Sequence, residues 1–466
     1  MAATRLAPIA GGAFILGIIA ANLNWSLFFL LATVFVAGAI LKEAVRIKYS
    51  CLVFAVFSIC GFLYGVIFAN WISANYILPD GKISGKVVSD IQISGRYQYF
   101  RAELSASGRG EVRVRAGAVP VFDYGDRFEL TGAWDKRGNN KNTPLFAAEK
   151  LEIQTKSSDL NVKQKLYRFK QRLTGMFRRY LPIDSAALAG GITLGETSGF
   201  SYGLKEDMKN SGTTHLVALS GYNISLVATV ISSIFGFWLG RRKSFWPTCF
   251  FIIIFTVMTG AASSVVRAAT MGLLMLLAGQ VGRFYDPERA LIFAAVIMLI
   301  FNPLLFRNDL GFSLSFLSFA GLAYLEPVLK RWFGWTKIEK LGAWRENLLH
   351  TLSAQMAVLP LLLIYLGSFS LTSFLANVLV LGITPLVMFF GFLSLGAGLI
   401  IDFMGQIMSW LLNPMLIYQL TVIHIFSTWS TRVNPVNILG PWPVYALSAW
   451  LIILAVKEKL ALRRHA

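Results

Sequence analysis

The feature that most constrains this chain is the recurrence of long apolar windows. A helix that crosses a bilayer needs about 20 mostly apolar residues, because its backbone must satisfy its own hydrogen bonds in hydrocarbon. The windows that approach this length are 6–22, 27–41, 51–71, 215–239, 245–258, 265–281, 289–306, 310–328, 348–366, 374–400, 403–427 and 444–456. We therefore predict a polytopic α-helical membrane protein with about ten to twelve spans, including short or re-entrant pieces.

The excess of basic residues agrees with a polytopic membrane protein. The chain is 55% hydrophobic, yet its 43 Lys and Arg against 24 Asp and Glu give a net charge of +19. Such an excess can indicate nucleic-acid binding, but in membrane proteins it usually marks cytoplasmic loops. The loop charges are Lys42, Arg46, Lys48, Arg241, Arg242, Lys243, Lys330, Arg331, Lys337, Lys340, Arg463 and Arg464. If these loops are cytoplasmic, residues 72–181 are extracytoplasmic and the C-terminus is cytoplasmic.

A polar segment follows the N-terminal membrane segments, which we place at residues 1–71. Within residues 72–157, short runs alternate between apolar and polar residues, as in GEVRVRAG. Here Val112 and Val114 are expected to face a core, while Glu111, Arg113 and Arg115 face water. Five or so short strands in this length predict a small all-β barrel or sandwich, and an OB-like barrel fits best.

The stretch KQKLYRFKQRLTGMFRRY predicts a basic amphipathic helix at residues 158–182. Its apolar stripe is expected to contain Leu166, Phe169, Leu173, Met176 and Phe177, with the basic residues opposite. We interpret it as a helix on the membrane surface, and its simplest role is to anchor the chain to lipid headgroups. The main membrane bundle then occupies residues 183–466.

Polar residues interrupt the start of that bundle. Glu196 lies among glycines in GGITLGETSGF, and the span HLVALSGYNISL carries five candidate site residues. These are His215, Ser220, Gly221, Asn223 and Ser225. A helix broken by Ser and Gly exposes backbone groups that must line a polar cavity, whereas the alternative is close helix packing by small residues.

A second polar group lies in TGAASSVVRAATMG, where Ser263 and Ser264 precede Arg267 by one helical turn. An arginine at the bilayer centre costs about 2.5–3.5 kcal/mol on insertion scales, so it normally faces a cavity, a partner or a pathway. An ion pair with Glu196 or Asp309 is the alternative. The later spans add Asp309, Ser315, Gln355 and Asn377, each of which could serve only as an interhelical contact, but which together predict a wet interior.

The order of these motifs resembles a known family. HLVALSGYNISLV, GAASSVVRAATMGLLMLLAGQVGR, NPLLFRNDLGFSLSF and QMAVLPLLLIYLGSFSLTSFLANVLV occur in the order seen in the competence family of inner-membrane DNA-uptake channels, the ComEC-type proteins. The resemblance covers about 188–400, and YGDRFELTGAW resembles that family's extracytoplasmic OB-like domain. It implies passage of single-stranded DNA across the cytoplasmic membrane during natural transformation.

Two departures from the family qualify this expectation. The family usually has Ser-Gly-Leu-His where this chain has Ser220-Gly221-Tyr222-Asn223, so a second histidine is replaced. The histidines His215, His350, His424 and His465 form no HxHxDH cluster, so the nuclease domain of many members is expected to be missing. No phosphate-binding P-loop motif occurs either, and Cys51, Cys60 and Cys249 indicate no metal site. We expect no cofactor and no enzymatic activity.

On this interpretation, the barrel binds single strands through aromatic stacking and phosphate contacts. The candidate contacts are Arg96, Tyr97, Tyr99, Phe100, Arg101, Arg113, Arg115, Trp134, Lys136 and Arg137. The bundle must supply positive potential and hydrogen-bond donors along the route. Expected partners are single-stranded DNA, membrane lipid, a DNA receptor, a separate nuclease and a cytosolic ATPase. Whether one chain or a homodimer forms the pore stays open.

Two other functions use the same features. A transporter of a small anionic or lipid-linked solute would also need a polar bundle. A membrane-embedded hydrolase would use His215 with Ser220 or Ser225, but the sequence shows no oriented acid for that histidine.

Overall fold

The structure is a computed structural model that describes residues 2–22, 50–75, 81–89, 91–94, 96–105, 110–135, 145–155, 162–217, 221–240, 242–335, 343–366, 369–370, 373–429 and 432–433. These residues belong to two compact units. Unit 1 comprises 1–168 and 227–312, and unit 2 comprises 169–226 and 313–466.

The described chain is mostly helical, with one small β domain near its N-terminus. In chain order, its elements are α1 (Ala2–Asn22), α2 (Ser50–Asn75), β1 (Lys82–Val87), β2 (Gln92–Ser94), β3 (Tyr97–Leu104), β4 (Glu111–Gly117), β5 (Arg127–Trp134), β6 (Leu145–Thr155), α3 (Val162–Tyr180), α4 (Ile183–Leu194), α5 (Tyr202–Asn210), a 3-10 turn (Thr214–Leu216), α6 (Gly221–Leu239), α7 (Phe245–Met258), α8 (Ser263–Val281), α9 (Pro287–Phe301), α10 (Leu305–Asn308), α11 (Leu310–Tyr324), α12 (Glu326–Trp332), α13 (Ala343–Leu366), β7 (Phe369–Ser370), α14 (Ser373–Ile400), α15 (Asp402–Thr428) and β8 (Arg432–Val433).

Several of these helices have the length and composition of membrane spans. Among the described residues, four qualify alone, and the bent pair α11 and α12 would make a fifth. Shorter apolar helices include Ala7–Asn22, Asn223–Leu239, Phe245–Met258 and Leu348–Leu363. The predicted windows 27–41 and 444–456 lie outside the described residues, so the count of ten to twelve spans stays a prediction.

In unit 1, α1 packs closely against α2 through small residues. A Cβ on Gly17 would lie 2.0 Å from the backbone oxygen of Ser58, and one on Gly61 would lie 2.2 Å from that of Phe14. Such close backbone approach is typical of membrane helix pairs, where packing replaces the hydrophobic driving force. Asn22 at the end of α1 also donates to Pro303 O at 2.8 Å, joining this pair to the turn after α9.

The β domain of unit 1 is a small closed barrel. Its strand order is β1-β5-β6-β4-β3-β2, and the additional pairing of β1 with β3 closes five strands into a ring. All recorded pairs are antiparallel except β4 with β6. Gly85 permits the closure, because a Cβ there would lie 2.4 Å from Glu103 O where β1 passes from β5 to β3. The predicted small β barrel is therefore present.

The barrel interior follows from the alternation in its strands. Val112 and Val114 are fully buried, whereas Glu111 and Arg113 are exposed, as the sequence predicts. Phe100, Phe122 and Phe128 meet in the centre with ring centroids 5.1–5.9 Å apart. A fully packed aromatic core leaves only the outer surface of the barrel for ligands.

In unit 2, α14 and α15 form a long antiparallel hairpin around Ile401. Ser394 and Ser409 are hydrogen-bonded at 2.6 Å near the turn. Further along the pair, Gln419 Nε2 donates to Thr384 Oγ1 at 3.0 Å. Because these pairs are matched across the hairpin, buried polar side chains fix the register of two otherwise apolar helices.

Helix α3 differs from the predicted amphipathic pattern at two positions. Leu173, Met176 and Phe177 are buried as expected, but Phe169 is 39% exposed. Lys170, predicted with the basic residues opposite the stripe, is instead one of the most buried side chains in the described chain. It lies four residues after Leu166 and three before Leu173, on the apolar side of the helix. The cause is a carboxylate from another segment, described next.

Candidate functional site

The centre of the candidate site in unit 2 is a buried ion pair. Lys170 Nζ in α3 lies 3.0 Å from Glu196 Oε2, and their side chains are 1% and 14% exposed. Glu196 Oε1 also accepts a hydrogen bond from the Ser198 backbone at 3.0 Å. A charged lysine is costly to bury unless a partner of opposite charge compensates its lost hydration, so Glu196 accounts for the burial of Lys170.

The electrostatics of Glu196 follow from these contacts. Burial alone would raise the pKa of this carboxyl group. The charge of Lys170 and the hydrogen bonds from Ser198 and Lys170 outweigh burial, so the pKa of Glu196 lies below its ordinary value. Glu196 is therefore ionised at neutral pH and is committed to a structural ion pair.

Glycines place Glu196 at the end of α4. Gly195 adopts a left-handed conformation with φ of 66°, and its N–H bonds to Gly191 O at 3.0 Å. The Glu196 N–H bonds to Gly190 O at 3.1 Å. This is the ordinary glycine-dependent way to end a helix, so the GGITLGE motif ends α4 and points its final carboxylate toward α3.

Asn223 has a definite partner in the same region. Its Nδ2 donates to Ile192 O at 2.8 Å, and its side chain is buried. Ile192 lies in the last turn of α4, where carbonyl groups have no partner inside the helix. Asn223 thus joins the beginning of α6 to the end of α4. An imidazole N–H at this position could donate a hydrogen bond to the same carbonyl oxygen.

The other residues predicted in this stretch are scattered. His215 is exposed in the 3-10 turn, and Ser225 is exposed on α6. Gly221 begins α6. Ser220 lies outside the described residues. The structure brings Glu196 and Asn223 to the same end of α4 but does not bring His215 and Ser225 into one described cluster with them.

In unit 1, two of the predicted bundle residues meet. Ser263 Oγ at the start of α8 hydrogen-bonds to Asp309 Oδ2, although 46 residues separate them. Asp309 Oδ1 also accepts from the Phe312 N–H at 3.2 Å, which caps the first turn of α11. Asp309 therefore fixes the beginnings of two helices at once.

Arg267 and the remaining bundle candidates differ in how far they are buried. Arg267 lies in the second turn of α8 and is partly buried, as is Ser264. In unit 2, Ser315 on α11 and Asn377 on α14 are buried, and Gln355 on α13 is partly buried. Glu196 has Lys170 as a partner, and Asp309 accepts from Ser263. The alternative ion pair of Arg267 with one of these carboxylates stays a prediction.

The barrel carries a second candidate site on the outer face of β3 and β4. The antiparallel register places Tyr99 opposite Arg115 and Arg101 opposite Arg113. Tyr97 is 49% exposed, and the Arg115 guanidinium lies 5.3 Å from the centre of its ring. We call these five side chains the basic aromatic face. Two acidic residues partly neutralise the positive charge of this face. Arg101 forms an ion pair with Glu111 at 3.7 Å, and Arg115 forms one with Asp135 at 3.9 Å.

Not every barrel candidate lies on this face. Phe100 is a core residue, because even-numbered positions of β3 point inward. Trp134 packs edge-on against buried Phe146, with ring centroids 4.9 Å apart. Arg96 is exposed in the turn before β3. Lys136 and Arg137 lie outside the described residues.

The sequence reasoning missed a polar cluster between α5 and α15. Asp207 accepts a hydrogen bond from Ser427 Oγ at 2.7 Å, and its other oxygen lies 2.9 Å from His424 Nδ1. Asp207 is 217 positions from His424 and 220 from Ser427, so no local motif indicates the cluster. Among the residues searched in the described ranges, no group of three His, Cys, Asp or Glu could hold a metal ion.

Comparison with known proteins gives the family of the chain. The Competence protein family matches residues 192–460. ComE operon protein 3 of Bacillus subtilis strain 168 is 24% identical over 318 residues, covering 66% of this chain and 39% of that protein. The chain thus spans less than half the length of this relative. No solved structure matches. The resemblance predicted from the motif series is confirmed, and the chain belongs to the Competence protein family.

Proposed function

We propose that this protein carries single-stranded DNA across the cytoplasmic membrane during natural transformation. Membership of the competence family supports DNA uptake as its role. The observation that carries the assignment to a single strand is the basic aromatic face, where Tyr97, Tyr99, Arg101, Arg113 and Arg115 share one surface of two paired strands.

The position of that face fits nucleic-acid binding. The closed five-stranded barrel has the Greek-key order of an OB fold, in which β3 and β4 correspond to the second and third strands. OB folds bind oligonucleotides on the face of those strands. Single strands are held there by bases stacked on aromatic rings and by basic side chains along the phosphates. The barrel is proposed to lie outside the cytoplasm, where incoming DNA first meets the protein.

The bundle is proposed to conduct the strand. Arg267 is the candidate that supplies positive potential, while His215, Ser220, Gly221, Ser225, Ser264, Ser315, Gln355 and Asn377 are candidates for polar contacts. The fixed pairs of Glu196, Asn223, Ser263 and Asp309 hold the helix ends that would shape such a route. A DNA receptor, a nuclease for the second strand and a cytosolic motor are proposed partners, and the role of the chain is transport rather than hydrolysis.

The test is transformation frequency in a competent strain that lacks this protein and is complemented with variants at equal membrane abundance. We expect wild type to restore transformation and Arg267→Ala to fail. Arg267→Lys is the matched variant, because it keeps a positive charge on α8, and we expect it to restore transformation at least in part. Unchanged transformation after deletion would contradict the proposal and favour transport of another anionic solute.

The barrel contribution is tested separately. We expect Tyr97→Ala with Arg115→Ala to reduce both transformation and the affinity of the purified full-length chain for a single-stranded oligonucleotide. Lys82→Ala is the matched control, because Lys82 is an exposed basic residue on β1 rather than on β3 or β4. Equal losses in both variants would mean that barrel charge in general, and not this face, attracts the strand.

A further inference from the structure

We propose that unit 2 carries a binding site for the headgroup of an anionic phospholipid, independent of any role in DNA transport. The site is a cavity of about 290 Å³ between α3 and the turn of the α14–α15 hairpin. Its lining residues are Arg172, Gly175, Met176, Arg179, Gly398 and Asp402. The volume is near the lower end for small-ligand pockets, about 300 Å³, and a phosphate ester fits such a space.

Two glycines shape the cavity, Gly175 by leaving open space and Gly398 by allowing its helix to approach α3 closely. Arg172, Gly175 and Arg179 lie three and four positions apart, so they share one side of α3. A Cβ on Gly175 would meet no atom within 4 Å, so the space beside it is open. On the other wall, Gly398 approaches Met176 and Tyr180 so closely that a Cβ would lie 2.6 Å and 2.8 Å from them.

The charge of the cavity favours an anion. Asp402 is already engaged, since its Oδ1 accepts from Tyr180 Oη at 2.5 Å and from Arg179 Nη1 at 3.2 Å. These contacts hold Arg179 at the rim, where its side chain is 68% exposed. Arg172 adds a second guanidinium, and no carboxylate within ion-pair distance of it is recorded among the described residues. The α3 sequence itself contains no acidic residue, so the local balance is positive.

The surroundings indicate that the anion belongs to a lipid. The residues on both sides of Asp402 are apolar and exposed, including Ile400 at 84%, Ile401 at 55% and Phe403 at 65%. An apolar turn next to a basic helix matches the two parts of a phospholipid, with acyl chains over the turn and phosphate at the arginines. A free phosphate or a nucleic acid would use the arginines but would leave the apolar turn uncovered.

The test uses the purified full-length chain in a neutral detergent, with binding followed by the rise in melting temperature on titration. The probes are phosphatidylglycerol, phosphatidylcholine, inorganic phosphate and an oligothymidine. We expect phosphatidylglycerol to stabilise the protein, phosphatidylcholine to have a smaller effect, and inorganic phosphate to have none at the same concentration. Arg172→Gln with Arg179→Gln should weaken the apparent phosphatidylglycerol affinity about 30-fold.

Two further variants separate a built site from diffuse charge. Gly175→Leu fills the cavity and changes no charge, so it should also weaken phosphatidylglycerol binding, and it carries the test if the double arginine variant does not fold. Lys163→Gln with Lys165→Gln removes two exposed charges from the same helix outside the cavity and should leave binding unchanged.

Three results would overturn the proposal. An unchanged phosphatidylglycerol affinity in Gly175→Leu would exclude the cavity as the binding site. An equal loss of affinity in the Lys163 and Lys165 variant would show that the lipid responds to the general positive charge of the helix. Displacement of phosphatidylglycerol by inorganic phosphate or oligothymidine at equal concentration would assign the arginines to a free phosphate or to nucleic acid.

Discussion

Lys170 Nζ lies 3.0 Å from Glu196 Oε2, and this ion pair joins the middle of α3 to the loop that ends α4. The lysine comes from the helix that follows the barrel, and the carboxylate from the first glycine-rich motif that suggested a site. Glu196, a predicted residue of the DNA pathway, therefore has a structural partner that the local sequence does not reveal.

The first prediction concerns the energy of this pair. Lys170→Met and Glu196→Gln should each lower the free energy of unfolding by about 3–5 kcal/mol, because each leaves one buried charge without its partner. The double variant should lose much less than the sum, since no buried charge remains. The measurement is denaturation of the purified full-length chain, with Lys165→Met as the exposed control. Strictly additive losses would show that the two side chains are not coupled.

The second prediction follows from the lowered pKa of Glu196. A carboxyl group whose folded-state pKa is depressed stabilises the fold above its unfolded pKa, about 4.3, and this stability is lost as the pH falls through the folded-state value. We expect the melting temperature to fall below about pH 4.3 in wild type and to fall less in Glu196→Gln. Identical acid profiles for the two proteins would contradict this assignment.

The third prediction concerns Asn223. Replacement by Ala should lower the free energy of unfolding by about 1–3 kcal/mol, because Ile192 O loses its buried donor. Asn223→His, which introduces the residue expected in the family, should retain most of that stability, since an imidazole N–H can donate to the same carbonyl. Ser225→Ala, on the exposed side of α6, serves as control. A histidine variant as unstable as the alanine variant would argue against this donor role.

The fourth prediction tests the basic aromatic face by salt dependence. If Arg101, Arg113 and Arg115 each contact one phosphate, replacing all three by Ala should make the slope of log affinity against log salt shallower by about 2, or ~0.7 per contact. The measurement is oligonucleotide binding by the full-length chain between low and physiological salt. A slope that stays unchanged while affinity falls would mean that these arginines act by stacking rather than by charge.

The local sequence pattern was enough to predict those features that backbone geometry alone determines. The period of two in β4 places Val112 and Val114 inside and Arg113 outside, because successive residues of a strand point to opposite faces. In the same way, the apolar windows predict helices that are long enough to span a membrane. The ordered motif series was sufficient to indicate the competence family.

The sequence by itself thus determined the apolar helices, the alternating strands and the family. Tertiary structure alone decided which side chains meet: Lys170 with Glu196, Ser263 with Asp309, and Asp207 with His424 and Ser427. The spacing of Lys170 from Leu166 and Leu173 puts it on the apolar side of α3, but that spacing says nothing about which group compensates its charge. A buried charge becomes favourable when a partner from a distant segment offsets its lost hydration, and only the folded chain brings the two together.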